Sequence, residues 1–129
     1  MSNFHELLLL LPATVESARH ARRAIDALPF DKHDEALFNL RLLITELVGN
    51  SVRHAGLTPA DTIIFELQLS PTLVRAQITD RGPGFIRPII DKPPSGTSGR
   101  GLFLVDALAD RWGTESDDTQ ASVWFEIDL

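Results

Sequence analysis

Residues 62–80 read Thr-Ile-Ile-Phe-Glu-Leu-Gln-Leu-Ser-Pro-Thr-Leu-Val-Arg-Ala-Gln-Ile-Thr-Asp. Two runs rich in apolar and β-branched residues, Thr62 to Leu69 and Leu73 to Asp80, flank the turn pair Ser70-Pro71. Such runs, punctuated by one short turn, predict an antiparallel hairpin. A long helix is predicted upstream, from about Asp34 to Ala55. Leu37, Leu40, Ile44, Leu47, Val48, Ser51 and Ala55 lie along one side of it, and Gly56 is placed to stop it. Further upstream, Thr14 can cap a helix over about Val15 to Leu28, with Glu16 in its first turn. Phe4 to Leu11 reads as a buried strand ended by Pro12.

Downstream of the hairpin, residues 81–99 are rich in Gly, Pro and Ser, which excludes regular structure there. Arg100 to Asp110 returns to helical periodicity, and Arg111 to Glu115 and Ala121 to Asp128 read as closing strands. The order is strand, two helices, hairpin, loop, helix, hairpin. It is neither a βαβ repeat nor all-β. It predicts an α+β domain: a two-layer α/β sandwich of one mixed but mostly antiparallel sheet with helices on one face.

The chain has 129 residues, 43% hydrophobic and 23% charged, which fits one soluble domain over 1–129. A domain of this size buries roughly 68% of its unfolded surface and needs no staples. With no cysteine, disulfides and thiolate metal sites are excluded, and a reducing cytoplasm is the expected location. The net charge of -6 argues against nucleic acid as a partner, since phosphate backbones want a basic surface. Leu7 to Leu11 is too short an apolar run to span a bilayer, so no membrane role is expected.

Three stretches carry chemistry. On the long helix, Glu46, Asn50 and His54 are spaced i, i+4, i+8 and form one polar stripe. A carboxylate and an amide oxygen on adjacent turns suit a hard cation such as Mg²⁺, and the carboxylate could deprotonate a hydroxyl. Asp80-Arg81-Gly82-Pro83-Gly84-Phe85 places an acid where a strand leaves the sheet, followed by glycines that permit close backbone approach. Gly96-Thr97-Ser98-Gly99-Arg100-Gly101-Leu102 opens a helix, whose free N–H groups bind anions. Arg100 could add a charged contact. Taken singly, each is more simply a solvated helix face, a tight turn or a glycine-rich helix start. In one order they supply what a nucleotide site requires: a cation ligand and base, an acid for a base edge, and an anion cradle. A P-loop and a dinucleotide fingerprint are both absent.

Glu46 to Ala55 resembles the N box of GHKL ATPases, Asp80 to Phe85 their G1 box, and Gly99 to Val105 their G2 box. The boxes and flanking elements fall in family order along nearly the whole chain. The compact size, the form of the boxes and the segment Ala109-Asp110-Arg111-Trp112-Gly113 look most like the anti-sigma-factor serine kinases. The resemblance implies a Bergerat ATP-binding fold with ATP and Mg²⁺ as ligands. It implies Asn50 as the Mg²⁺ ligand, Glu46 as catalytic base, and Asp80 as acceptor for the adenine amino group, with Gly82, Gly84 and Phe85 nearby. It also implies a lid over residues 86–98, including Thr97 and Ser98, and phosphate contacts through Gly99, Arg100, Gly101 and Leu102. Arg53 and His54 match positions near the nucleotide, and Ser122 falls where many members carry a threonine that supports adenine recognition. Gln120-Ala121 departs from the Gly-Lys pair many relatives have there.

The function so implied is an anti-sigma factor that is also a serine/threonine protein kinase. It would phosphorylate a STAS-type anti-anti-sigma protein, bind a sigma factor and form a homodimer as relatives do. Two other readings stand beside it: a nucleotide-gated binding module without transfer, and a histidine-kinase catalytic domain. His5, His20, His33 and His54 lie in no phospho-accepting context, which counts against the last.

Overall fold

A computed structural model describes residues 3–54, 58–81 and 100–129. Its elements are β1 (His5–Pro12), α1 (Ser17–Asp26), α2 (Asp34–His54), β2 (Thr62–Leu69), β3 (Leu73–Asp80), α3 (Arg100–Leu108), β4 (Arg111–Ser116) and β5 (Ala121–Asp128). The strands form one sheet in the order β1-β2-β3-β5-β4. All four pairings are antiparallel, so the expected α+β architecture holds but no parallel pair occurs among the described residues. The reason lies in the return of β5, which enters between β3 and β4 and runs against both.

Side-chain alternation along each strand sends one set of residues to the helices. Leu11, Ile63, Phe65, Leu67, Val74, Ala76, Ile78, Val123, Phe125 and Ile127 form the buried face. Onto it pack Ala21 and Ile25 of α1, Leu40, Leu43, Ile44, Leu47 and Val48 of α2, and Leu102 and Val105 of α3. The spacing of the α2 residues is that of one helical face. α2 is the central helix: it touches α1 and α3 on its flanks and β3 and β5 beneath. No helix among the described residues is long and apolar enough to cross a membrane.

Several boundaries differ from the sequence expectation. Pro12 closes β1 rather than standing outside it, because β1 is an edge strand, where a missing N–H is tolerated. α1 begins at Ser17, not Val15. Val15 is exposed, while the Ser17 backbone N–H donates to the Thr14 carbonyl and its hydroxyl to the Pro12 carbonyl. Thr14 therefore belongs to the turn before the helix. α3 ends at Leu108 instead of Asp110, and the Asp110 N–H donates to Glu126 of β5.

On the sheet face away from the helices, Glu126 accepts from Arg111 Nε at 2.6 Å and from Arg75 Nη1 at 3.2 Å. Arg75 also lies 4.3 Å from the ring centre of Trp124. The Arg111 hydrogen bond, helped by Arg75 and opposed by burial, holds the Glu126 carboxyl below the ordinary value of 4.5. A depressed folded pKa means stability that is complete above 4.5 and lost as pH falls through the lower folded value. Glu126→Gln is expected to flatten the acid limb of the stability curve. It should cost about 0.5–1 kcal/mol at neutral pH and nothing at the acid end, since the arginines are solvent-screened. Urea titrations at a series of pH values test this, and parallel curves for both proteins would refute it.

Candidate functional site

The described residues of the three stretches meet where the C-terminal half of α2 crosses the end of β3 and the start of α3. Asp80 is the last residue of β3 and is only 2% exposed. It faces the helices, and Ser51 of α2 donates its hydroxyl to Asp80 Oδ2 at 2.7 Å. Ser51 is itself buried. Its place in the otherwise apolar stripe of α2 is explained by that bond: a buried carboxylate needs a donor. Sequence reasoning placed Ser51 in the core face and gave it no role. The available signal was a small hydroxyl residue in a run of Leu, Ile and Val.

Asn50 stands next to Ser51 on α2 and is half-buried. Its neighbour is α3. A Cβ on Gly101 would lie 2.3 Å from Asn50 Nδ2 and 3.4 Å from Leu47 Cδ2, so the Asn50 amide can lie against α3 in this position only because residue 101 is a glycine. On the other side, Arg53 Nη2 donates to Asn50 Oδ1 at 3.1 Å. Glu46, half-buried, precedes Asn50 by one turn of α2. His54 ends α2 and Arg100 opens α3. Leu102, buried in the core, anchors the first turn of α3.

The structure thus brings Glu46, Asn50, Arg53, Asp80 and Gly101 to one corner of the sandwich. It does not bring Ser122 to Asp80. In the β3–β5 register Ala121 is opposite Asp80, whereas Ser122 is opposite Thr79. Ser122 Oγ and Thr79 Oγ1 are 2.9 Å apart, both buried, on the other side of the strands. Gly82, Gly84, Phe85, Thr97, Ser98 and Gly99 lie outside the described residues, as does the expected lid, and Asp80 and Arg100 bracket that segment.

Chemically, the corner offers a buried carboxylate at a strand end, an amide oxygen already facing a cation, a second carboxylate one turn away, and a glycine in the first turn of α3. Among the described residues no three His, Asp or Glu side chains gather into a metal cage.

A family model described as histidine kinase-like ATPase domain matches residues 11–127 of the chain. No curated protein matches. Among solved structures, the RsbU and RsbW domains of Rv1364c from Mycobacterium tuberculosis are similar, with a TM-score of 0.70 at 19% identity, covering 95% of this chain and 31% of that one. The histidine kinase domain of a blue-light activated histidine kinase, Erythrobacter litoralis EL346, is similar with a TM-score of 0.60 at 17% identity, covering 92% of this chain and 61% of that one. At such identities the likeness is one of fold. The chain spans less than two thirds of either.

Proposed function

This chain belongs to the histidine kinase-like ATPase domain family, and from that premise we propose that it binds ATP with Mg²⁺ and transfers the terminal phosphoryl group to a protein hydroxyl. The observation that carries the reading is the buried Asp80 carboxylate, oriented by Ser51, beside an Asn50 that meets Gly101 in the first turn of α3. A carboxylate has about four acceptor sites on its two oxygens, so an exocyclic amine and the Ser51 hydroxyl can donate to the same group. Asn50 and a triphosphate fit Mg²⁺, because that ion takes one or two protein oxygens and fills the rest with phosphate and water. When bound, the ion would neutralise charge on the phosphates.

The remaining work falls to the chain. Asp80 would select adenine. Gly99, Arg100 and Gly101 would present backbone N–H groups and a charge to the phosphates at the start of α3. Glu46 would orient or deprotonate the acceptor hydroxyl. The acceptor best supported by the form of the boxes is a STAS-type anti-anti-sigma protein, with a sigma factor as the competing partner. A second copy of the chain is the third proposed partner. The edge strand β1, which exposes Leu8 and Leu10, supports it.

The test is transfer from γ-labelled ATP to a purified STAS protein, followed by mass spectrometry of the product. The expected product is an acid-stable phosphoserine or phosphothreonine. Glu46→Gln is expected to slow transfer by about 10²–10⁴-fold with ATP affinity within about threefold of wild type. ATP binding without transfer to any protein would leave a nucleotide-gated binding module. An acid-labile phosphohistidine would support the histidine-kinase reading.

A further inference from the structure

Gly49 sits in the interior of α2, where glycine costs about 1 kcal/mol relative to alanine. The space it leaves is taken. A Cβ there would lie 3.0 Å from Arg53 Nη1 and 3.5 Å from its Cζ and Nη2. The guanidinium therefore folds back one turn over Gly49, and Nη2 reaches Asn50 Oδ1 at 3.1 Å. A guanidinium only donates, so it dictates that the amide presents oxygen on that side and nitrogen toward Gly101. The oxygen proposed above for Mg²⁺ thus carries a positive partner in Arg53.

We propose that Arg53 is the resident cation of this site: its guanidinium, seated on Asn50 Oδ1 over Gly49, takes over at the nucleotide phosphates when no divalent cation is present. This rests on the ATP-binding reading and adds to it a division of labour between a side chain and a metal. A guanidinium and a dication at one oxygen repel each other, and a polyphosphate between them removes the repulsion. With Mg²⁺ and phosphates bound, Asn50 Oδ1 would hold the ion and Arg53 would be a minor contact. Without Mg²⁺, the charge-assisted hydrogen bonds from Arg53 are the chief compensation for the phosphates on that side.

The test is the affinity for ADP by calorimetry, in saturating Mg²⁺ and in excess chelator, for wild type, Arg53→Met and Arg53→Lys. Adenosine serves as the phosphate-free control and a melting curve as the check on folding. Wild type is expected to bind ADP in chelator, more weakly than in Mg²⁺. Arg53→Met should lose about tenfold or more in chelator, the effect of removing a hydrogen bond to a charged group, but about threefold or less in Mg²⁺. Arg53→Lys should recover part of the loss, because it keeps the charge without the fork. Adenosine binding and melting should not change. Equal losses in both media would overturn the proposal, leaving Arg53 as an ordinary phosphate contact. No loss in either medium, or a loss of adenosine affinity, would also overturn it and leave a structural role only. If wild type binds no adenine nucleotide even in Mg²⁺, the ATP reading itself fails, an outcome distinct from these.

Discussion

Asp80→Asn is expected to lose ATP binding by about 100-fold or more while the fold survives. The carboxylate is buried, and its orientation is set by the 2.7 Å bond from Ser51. An exocyclic amine is a donor. An asparagine in this place can keep the Ser51 bond through its oxygen, but it then turns its own NH₂ toward the incoming amine. Two donors face each other in a site closed to water, and each loses its hydration without a partner. The change is nearly isosteric, so melting should shift little. Calorimetry with ATP and with a purine nucleoside triphosphate lacking the amino group provides two independent checks. Wild type should discriminate between the two ligands and Asp80→Asn should not. Affinity of the variant within threefold of wild type would remove Asp80 from the adenine site.

Gly101→Ala should be the second severe change, and it acts on the other end of the nucleotide. The added methyl would stand 2.3 Å from Asn50 Nδ2, closer than any real contact, with Leu47 at 3.4 Å behind it. Either the first turn of α3 retreats from α2 or the short Asn50 side chain swings out. Both movements separate the proposed Mg²⁺ ligand from the helix start that would receive the phosphates. Overpacking costs about 1–3 kcal/mol, offset by about 1 kcal/mol of helix propensity, so the protein should still fold. ATP affinity should fall by at least about tenfold, and its dependence on Mg²⁺ should largely disappear. Titrations across a range of Mg²⁺ concentrations measure this, and an unchanged dependence would contradict it. Gly49→Ala is the useful contrast. Its methyl meets only the end of the flexible Arg53 side chain at 3.0 Å, which can yield by a few tenths of an ångström.

Much of the fold was legible because the signals are local. The hairpin over residues 62–80 was readable from its two apolar runs and the Ser70-Pro71 turn, and the observed strands have the same bounds. The buried side of α2 was readable from the spacing of Leu40, Ile44, Leu47 and Val48. Less legible were the helix ends. Thr14 looks like a cap, yet the hydroxyl of Ser17 and the exposure of Val15 move the start of α1. A capping residue is chosen by the path of the chain around it, and that path is set by how α1 meets the sheet.

The candidate site divides in the same way. Its residue types could be read from three short stretches, but its neighbours could not. Asp80 and Ser51 are 29 positions apart, and Asn50 and Gly101 are further apart still. Ser122, which the resemblance places near adenine recognition, stands opposite Thr79 in the register, with Ala121 across from Asp80. The alternation of Val123, Phe125 and Ile127 with Ser122, Trp124 and Glu126 tells which face Ser122 takes, but not which residue of β3 stands opposite it. By itself, then, the sequence determined the elements, the single layer of helices and the chemical groups available, because hydrophobic periodicity and turn chemistry act within a few residues. Only the tertiary structure decided which of those groups share one corner, because strand order, register and helix packing are set by the burial of the whole sheet face at once.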